Sequence, residues 1–188
     1  MYKTAAIALL ALVFNACSNA DKQKETNTTQ DTTKITKPST QDSLSKDGLV
    51  RFAGDSVVVT PFEIEIQLSP KAIDKLNKAN ETIIVDVMLE GTPKDSAHAK
   101  FGEDGIFYVG AKQKEIKYGQ IAKFDDLKIS RKIYDQLADK DAEVNINVYT
   151  GRKSSQNNLI DCEPLFGKLS KVVNKKSTLK GKLIYGDN

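Results

Sequence analysis

Few residues of this chain have the types and spacing that catalysis or metal binding requires. Its 188 residues include one His, two Cys and no Trp. A zinc site built on imidazoles, a Ser-His-Asp triad and a disulfide framework are all poorly supplied by this composition. The remaining sources of chemistry are carboxylates, polar loops and the two thiols, and no resident cofactor is expected.

Acidic residues form close groups that could contribute to a calcium site. The groups are Glu103 with Asp104, Asp125 with Asp126, Asp139 with Asp141, and Asp161 with Glu163. Calcium takes about six to eight oxygen ligands, which loops at one end of a β-domain can supply together. Asp125 and Asp126 are the candidate metal ligands, although no segment has the spacing of an EF-hand loop. Because Asp-Gly tolerates positive φ, residues 103–105 are better interpreted as a hairpin turn, and no resident metal is expected.

The second cysteine and the single histidine are predicted to be inert. Cys162 lies between Asp161 and Glu163, whose negative charges oppose the low pKa that a nucleophilic thiol needs. His98 lies in a polar loop with no second ligand at zinc-like spacing. We therefore expect a packed thiol and a solvated imidazole.

Residues 151–158 form the candidate binding loop. Their sequence is Gly-Arg-Lys-Ser-Ser-Gln-Asn-Asn, which lacks the first glycine of a P-loop and carries an Arg before the Lys. A polar loop at the mouth of a rigid β-domain is where binding proteins place their contacts. The candidate contact residues are Arg152, Lys153, Ser154, Ser155, Asn157 and Asn158.

The overall charge argues against a nucleic-acid partner. Lys and Arg total 28, Asp and Glu total 25, and the formal net charge is +3. A nucleic-acid-binding domain is usually strongly and locally basic. The C-terminal third does carry six lysines that would form one basic face: Lys168, Lys171, Lys175, Lys176, Lys180 and Lys182. Such a face could contact anionic headgroups or acidic polysaccharide, or be an ordinary solvated face that discourages aggregation.

The elements that must position these residues are mainly strands. Strict alternation of apolar and polar residues predicts strands at 62–68, 83–89, 144–148 and 179–185. Weaker patterns indicate strands at 57–59, 106–109, 121–129 and 165–173. Two short helices are predicted where Ser69 precedes Pro70 and where Ser130 precedes residues 131–138. About seven or eight strands with polar outer faces indicate an antiparallel β-sandwich or barrel.

Residues 119–127, followed by the alternating strand at 144–148, resemble a pairing found in transthyretin-like and carboxypeptidase-regulatory-like sandwiches. The resemblance implies a mainly β, Ig-like or transthyretin-like antiparallel sandwich with two short helices. It brings no catalytic residue with it. The hydrolase branch of that superfamily ends in Tyr-Arg-Gly-Ser and uses several His, whereas this chain has only His98.

The N-terminal residues predict an export signal. A positive start is followed by an apolar run at residues 5–14, which is shorter than the roughly 20 residues of a membrane span. The following Asn15-Ala16-Cys17-Ser18 resembles the lipobox of bacterial lipoproteins. The resemblance implies that residues 1–16 are removed, that Cys17 is acylated, and that the acyl chains bind a lipid bilayer, namely the outer membrane. A competing cut after Ala20 would leave a free protein.

Residues 17–47 are predicted to be a lipidated Cys and a disordered tether, and residues 48–188 to be the folded domain. Positions 18–47 contain only three apolar side chains, which cannot bury enough surface to offset the entropy of ordering. Four Asp-Ser/Thr tripeptides resemble the acceptor of the general O-glycosylation system of some Gram-negative bacteria. The candidate acceptors are Thr32, Ser43, Ser56 and Ser96.

These patterns predict a membrane-anchored lipoprotein of the cell envelope. Its sandwich would be a non-catalytic binding or structural module for an unknown protein or glycan ligand. Two alternatives stay open: a component of an envelope or secretion assembly, and a carboxylate-dependent hydrolase acting on envelope carbohydrate. The hydrolase would need two acids about 5–10 Å apart across a cleft.

Overall fold

The computed structural model describes residues 43–186, which form a mainly β structure with three short helices. The strands are β1 (Ser43–Leu44), β2 (Val50–Ala53), β3 (Ser56–Val59), β4 (Phe62–Leu68), β5 (Ile83–Gly91), β6 (Phe107–Ile116), β7 (Ala122–Phe124), β8 (Lys128–Ser130), β9 (Glu143–Thr150), β10 (Ile160–Cys162), β11 (Leu165–Lys168) and β12 (Lys176–Leu183). The helices are α1 (Pro70–Lys78), α2 (Arg131–Gln136) and α3 (Leu169–Val172). No helix within residues 43–186 is long and apolar enough to span a membrane.

The described strands form three four-stranded sheets. Their orders are β1-β2-β3-β8, β10-β12-β4-β7 and β11-β9-β5-β6. Nearly all neighbours are antiparallel, but β12 runs parallel to β4, with Lys176 opposite Glu63. The expectation of a purely antiparallel fold is therefore wrong at this pair. Alternation of apolar and polar residues does not indicate the direction in which a strand runs. Residues 69–175 supply the long connection that a parallel pair needs.

The buried side chains of all three sheets form one continuous hydrophobic cluster, which makes the fold β-sandwich-like. The strands predicted at 62–68, 83–89 and 144–148 each bury their apolar face in this cluster. Ile64, Val85 and Ile146, one from each strand, have no exposed surface. Phe62 and Phe124 stack with their ring centroids 5.1 Å apart across the β4–β7 pair. Burial of one face of each strand thus confirms the alternation in residues 62–68, 83–89 and 144–148.

Three other strand expectations differ in part from the structure. The last strand ends at Leu183, and Tyr185 lies beyond it with 88% of its surface exposed. The stretch 121–129 is divided between β7, which pairs with β4, and β8, which pairs with β3. The segment 169–173, predicted as strand, begins with α3 instead. The Asp141 carboxylate accepts bonds from the Ser170 N–H at 2.8 Å and hydroxyl at 2.7 Å, so a distant residue stabilises this turn.

The two expected helices are present. The Ser69 hydroxyl accepts the Ala72 N–H at 3.2 Å, which caps α1 as its sequence indicates. Ser130 precedes α2 but makes no side-chain cap bond there, because it already belongs to strand β8. The helix α2 ends at Gln136, before the expected limit at Ala138, because Leu137 adopts an extended backbone with a ψ of 129°.

Described strand structure begins inside the stretch for which composition predicts disorder. Ser43 and Leu44 pair with Phe52 and Arg51 of β2. Backbone pairing needs no apolar side chain, so the count of apolar residues could not detect this strand. The signal segment 1–16, Cys17 and the remainder of the predicted tether lie outside the described residues.

Candidate functional site

The candidate binding loop, residues 151–158, is held in place by a buried carboxylate. Glu81, only 5% exposed, accepts the backbone N–H groups of Lys153 at 3.1 Å and Ser154 at 2.7 Å, and the Ser154 hydroxyl at 2.6 Å. Burial raises the pKa of Glu81, but the bonds from Ser154, Lys153 and Thr82 outweigh it and lower this pKa to about 2. The loop is therefore fixed from its inner side at neutral pH.

The approach of the loop to Glu81 requires a glycine at position 151. The Gly151 N–H donates to the Thr82 carbonyl at 2.8 Å. A Cβ at position 151 would lie 2.0 Å from the Thr82 hydroxyl oxygen, which no side chain could tolerate without displacement. The next residue, Arg152, adopts a positive φ of 59° and directs the chain back over β9.

Lys153 and Asn158 also serve the fold. The Lys153 ammonium lies 2.5 Å from the Glu115 carboxylate, which also accepts the Thr82 hydroxyl at 2.6 Å. These bonds, from Lys153 first and Thr82 second, lower the pKa of Glu115. At the far end of the loop, the Asn158 side chain accepts the Thr150 N–H at 2.9 Å and donates to the Ile160 carbonyl at 2.7 Å.

The structure therefore changes the roles expected within the loop. Lys153, Ser154 and Asn158 hold the loop, and the Ser155 hydroxyl accepts the Asn157 N–H at 3.1 Å. Arg152 and Asn157 are the predicted contact residues that stay exposed and whose side chains form no such bond within residues 43–186. The sequence identified the segment, whereas the role of Glu81 gave no local signal because its partners in the loop lie more than seventy positions away.

A shallow depression lies beside this loop, on the outer face of β9. We call it the Tyr149 depression; it is lined by Asp86, Asn147, Tyr149, Arg152, Asn158, Asp161 and Cys162. The Arg152 guanidinium lies 5.9 Å from the centre of the Tyr149 ring. Burial and the nearby Asp86 carboxylate raise the pKa of Tyr149, so its hydroxyl stays protonated at neutral pH. The depression thus offers hydrogen-bonding groups on rigid strands.

Asp126, a candidate metal ligand, is already neutralised by two lysines. Its carboxylate oxygens lie 2.9 Å from the Lys112 ammonium and 3.0 Å from that of Lys114. Hydrogen bonds from Lys112 and Lys114 lower the pKa of Asp126 to about 2. Asp125 is exposed beside it. Within residues 43–186, no group of three or more His, Cys, Asp and Glu side chains is placed to hold a metal ion.

Two of the other acidic groups also have internal partners. Asp104 accepts the Tyr108 hydroxyl and the Ile106 N–H, which lowers the pKa of Asp104. Its neighbour Gly105 has a φ of 77° in a local turn, but this turn lies within the loop between β5 and β6 and is not the hairpin turn that the sequence predicts. The Asp141 N–H and the Lys168 ammonium lower the pKa of Asp139.

The predicted basic face is a face of mixed charge. Lys176 lies 3.3 Å from Glu65 of β4. Lys182 lies opposite Asp161 of β10 in the sheet. Lys168 lies elsewhere, within 2.8 Å of Glu143. These lysines come from residues 168–182, but their acidic neighbours belong to three other segments. Counting charges along residues 168–182 alone therefore could not detect the acidic neighbours.

Cys162 and His98 match their expected environments. Burial and then Asp161 raise the pKa of the Cys162 thiol to about 12, which keeps it protonated and unreactive at neutral pH. His98 is exposed, with its Nδ1 2.7 Å from the Asp95 carboxylate. Neither residue forms a nucleophilic or metal site with the described side chains around it.

The candidate glycan acceptors differ in accessibility. Ser96 is exposed in a turn of the loop between β5 and β6. Ser43 is exposed in β1, whereas Ser56 is half-buried in β3, where it lies opposite Ser130. Thr32 lies outside the described residues. Ser96 therefore presents the best position for an enzyme to reach.

No protein-family model, curated protein or solved structure matches this chain. The described residues themselves define a mainly β, sandwich-like protein. Its most elaborate surface feature is the loop 151–158, fixed by Glu81 and adjoining the Tyr149 depression.

Proposed function

We propose that this protein is a lipid-anchored component of the bacterial cell envelope whose Ig-like or transthyretin-like β-sandwich is a non-catalytic binding module. The observation that carries the binding role is the attachment of loop 151–158 to the buried Glu81 carboxylate. This attachment holds Arg152 in position beside the Tyr149 depression before any ligand arrives. Such pre-organisation reduces the entropy lost on binding.

The electrostatics favour binding over the hydrolase alternative. A general acid that works near neutral pH needs a raised pKa. The pKa values of Asp104, Asp126 and Asp139 are instead lowered by their own hydrogen-bond donors. A role within an envelope or secretion assembly would use the same surface for a protein ligand.

The anchor is proposed from the sequence around Cys17. This cysteine follows the apolar run 5–14 directly, at the position where lipoproteins carry their acylated thiol. Acylation would place the domain at the outer membrane, on its periplasmic or outer side, through the segment that precedes Ser43. Each methylene of an acyl chain buried in the bilayer contributes about 0.8 kcal/mol, so several chains give firm attachment.

The mass of the mature protein tests the anchor. We expect intact protein, extracted from membranes of its native host, to begin at Cys17 and to carry the added mass of three acyl chains. High-resolution mass spectrometry of the detergent-extracted protein makes the measurement. A soluble product beginning at Asp21 with no acyl group would contradict the lipoprotein proposal.

The same spectrum tests the glycan acceptors. We expect Ser96→Ala to lose one glycan-sized increment, because Ser96 is exposed in a turn. Ser56→Ala is the matched control and should keep the wild-type mass pattern, since Ser56 is half-buried in a paired strand. Identical glycan increments in wild type and Ser96→Ala would exclude Ser96 as an acceptor.

A further inference from the structure

The outer face of the sheet β11-β9-β5-β6 is rich in uncharged hydrogen-bonding side chains. In the centre of this sheet Asp86 lies opposite both Asn147 and Gln113, and in the next row Met88 lies opposite Asn145. We call this surface the amide face; it comprises Asp86, Met88, Gln113, Asn145, Asn147, Tyr149 and Phe166. It continues into the Tyr149 depression, which shares three of these residues.

The side-chain amides on this face form hydrogen bonds with other side chains of the same face. The Asn147 amide nitrogen donates to the Asn145 side-chain oxygen at 3.0 Å, and the Gln113 amide nitrogen donates to the Tyr149 hydroxyl oxygen at 3.1 Å. Within residues 43–186, no group is hydrogen-bonded to the side-chain oxygen of Asn147, the amide nitrogen of Asn145 or the side-chain oxygen of Gln113. Each therefore keeps a donor or an acceptor for a ligand, a pattern that matches hydroxyl groups, which both donate and accept.

The charges on and around the face disfavour an anionic ligand. Two carboxylates at the ends of the same sheet are paired, Glu115 with Lys153 at 2.5 Å and Glu143 with Lys168 at 2.8 Å. Asp86 and Glu90 form no ion pair within residues 43–186, and the Arg152 guanidinium lies at the Tyr149 end of the face. The surface is thus close to neutral and slightly negative, which would repel phosphate headgroups or uronic acids.

Two aromatic rings mark the ends of the polar centre. Phe166 of β11 lies opposite Asn145, so it is separated from Tyr149 by four residues along β9, or about 13 Å. Its side chain is 68% exposed, so the ring is accessible to a ligand. Aromatic rings pack against the C–H faces of sugars, while neighbouring amides and carboxylates bind the hydroxyl groups.

We propose that the amide face binds an uncharged polysaccharide, with the glycan chain running along β9 from Tyr149 to Phe166. This inference rests on the proposed binding function and names its ligand class. Asp86 and the amides would bind hydroxyl groups in the centre, and Phe166 would stack on a sugar ring at one end. The distance between the two rings suits an oligosaccharide segment better than a single sugar.

The test is affinity electrophoresis of the full-length protein in detergent, in native gels that contain dextran, mannan, arabinan or galactan, with polygalacturonate as the anionic probe. We expect at least one neutral polysaccharide to retard the protein. Phe166→Ala and Gln113→Ala should each weaken the apparent affinity about tenfold. Both residues are exposed, so these variants are expected to fold, and circular dichroism would verify it.

Two matched control variants remove the same residue types elsewhere. Tyr185→Ala removes an aromatic ring that is 88% exposed, and Gln67→Ala removes an exposed amide from the outer face of β4. Both should bind like wild type. The inference is overturned if no neutral polysaccharide retards the protein, if only polygalacturonate does, or if the controls lose as much affinity. If these binding tests fail while the mature protein carries an acylated Cys17, the polysaccharide ligand is excluded and the proposed lipid anchor is unaffected.

Discussion

Replacing Cys17 with Ala is expected to move the protein from the membrane fraction to the soluble fraction. The thiol is the only group at this position that can carry a diacylglycerol, and a cut after Ala20 would still remove the apolar run 5–14 from the variant. Without acyl chains, the module has only surface contacts with the bilayer, and stable attachment requires more than one membrane signal. Fractionation of host cells, followed by immunoblotting of carbonate-washed membranes, measures the change.

The other cysteine provides the matched control. Cys162→Ala makes the same substitution at a half-buried thiol inside the domain, and this variant should stay in the membrane fraction. Mass spectrometry of both variants distinguishes release from failed export, because an uncut precursor retains residues 1–16. Membrane retention of Cys17→Ala at the processed mass would be incompatible with a lipid anchor on Cys17.

Glu81→Gln is expected to destabilise the domain by about 2 kcal/mol at pH 7. The substituted amide keeps the shape of the side chain but loses the charge that accepts three backbone N–H groups and the Ser154 hydroxyl. Its NH₂ group would also face donors instead of accepting from them. Urea unfolding followed by circular dichroism measures the difference. Glu103→Gln, at an exposed turn, should unfold like wild type.

The stabilisation by Glu81 should disappear in acid. The pKa of Glu81 is about 2 in the folded protein and near 4.5 when unfolded, so the unfolded state binds the proton first as the pH falls. The contribution is therefore fully present above pH 4.5 and is lost as the pH falls from 4.5 towards 2. We expect wild type and Glu81→Gln to differ at pH 7 and to converge near pH 2. A stability difference that stays constant over this range would contradict the role of the Glu81 charge.

Several elements of the fold could be predicted because their signals are local. Alternation in residues 62–68 and 83–89 depends on neighbouring positions, and the sheet buries one face of each strand as that pattern requires. The cap of α1 is also local, since the Ser69 hydroxyl and the Ala72 N–H are three residues apart. The helix α3 is different, because the Asp141 carboxylate that stabilises its start lies 29 residues away.

The same division applies to the candidate site. The composition of residues 151–158 identified a polar loop, but it could not tell which side chains face solvent. Ser154 lies on Glu81 and Lys153 on Glu115, and the partners in each contact lie far apart in the sequence. Phe166 gave no signal as a surface residue, because its exposure depends on the pairing of β11 with β9.

The sequence by itself determined the mainly β class, the positions of the longest strands, the capped first helix and the polar loop. Each of these follows from interactions between residues close along the chain or from the average polarity of a segment. Only the tertiary structure decided the parallel pairing of β12 with β4, the neutralisation of Asp126 by Lys112 and Lys114, and the burial of Glu81. These features depend on which distant segments meet, since a charge or a strand edge acquires its role from the partner beside it.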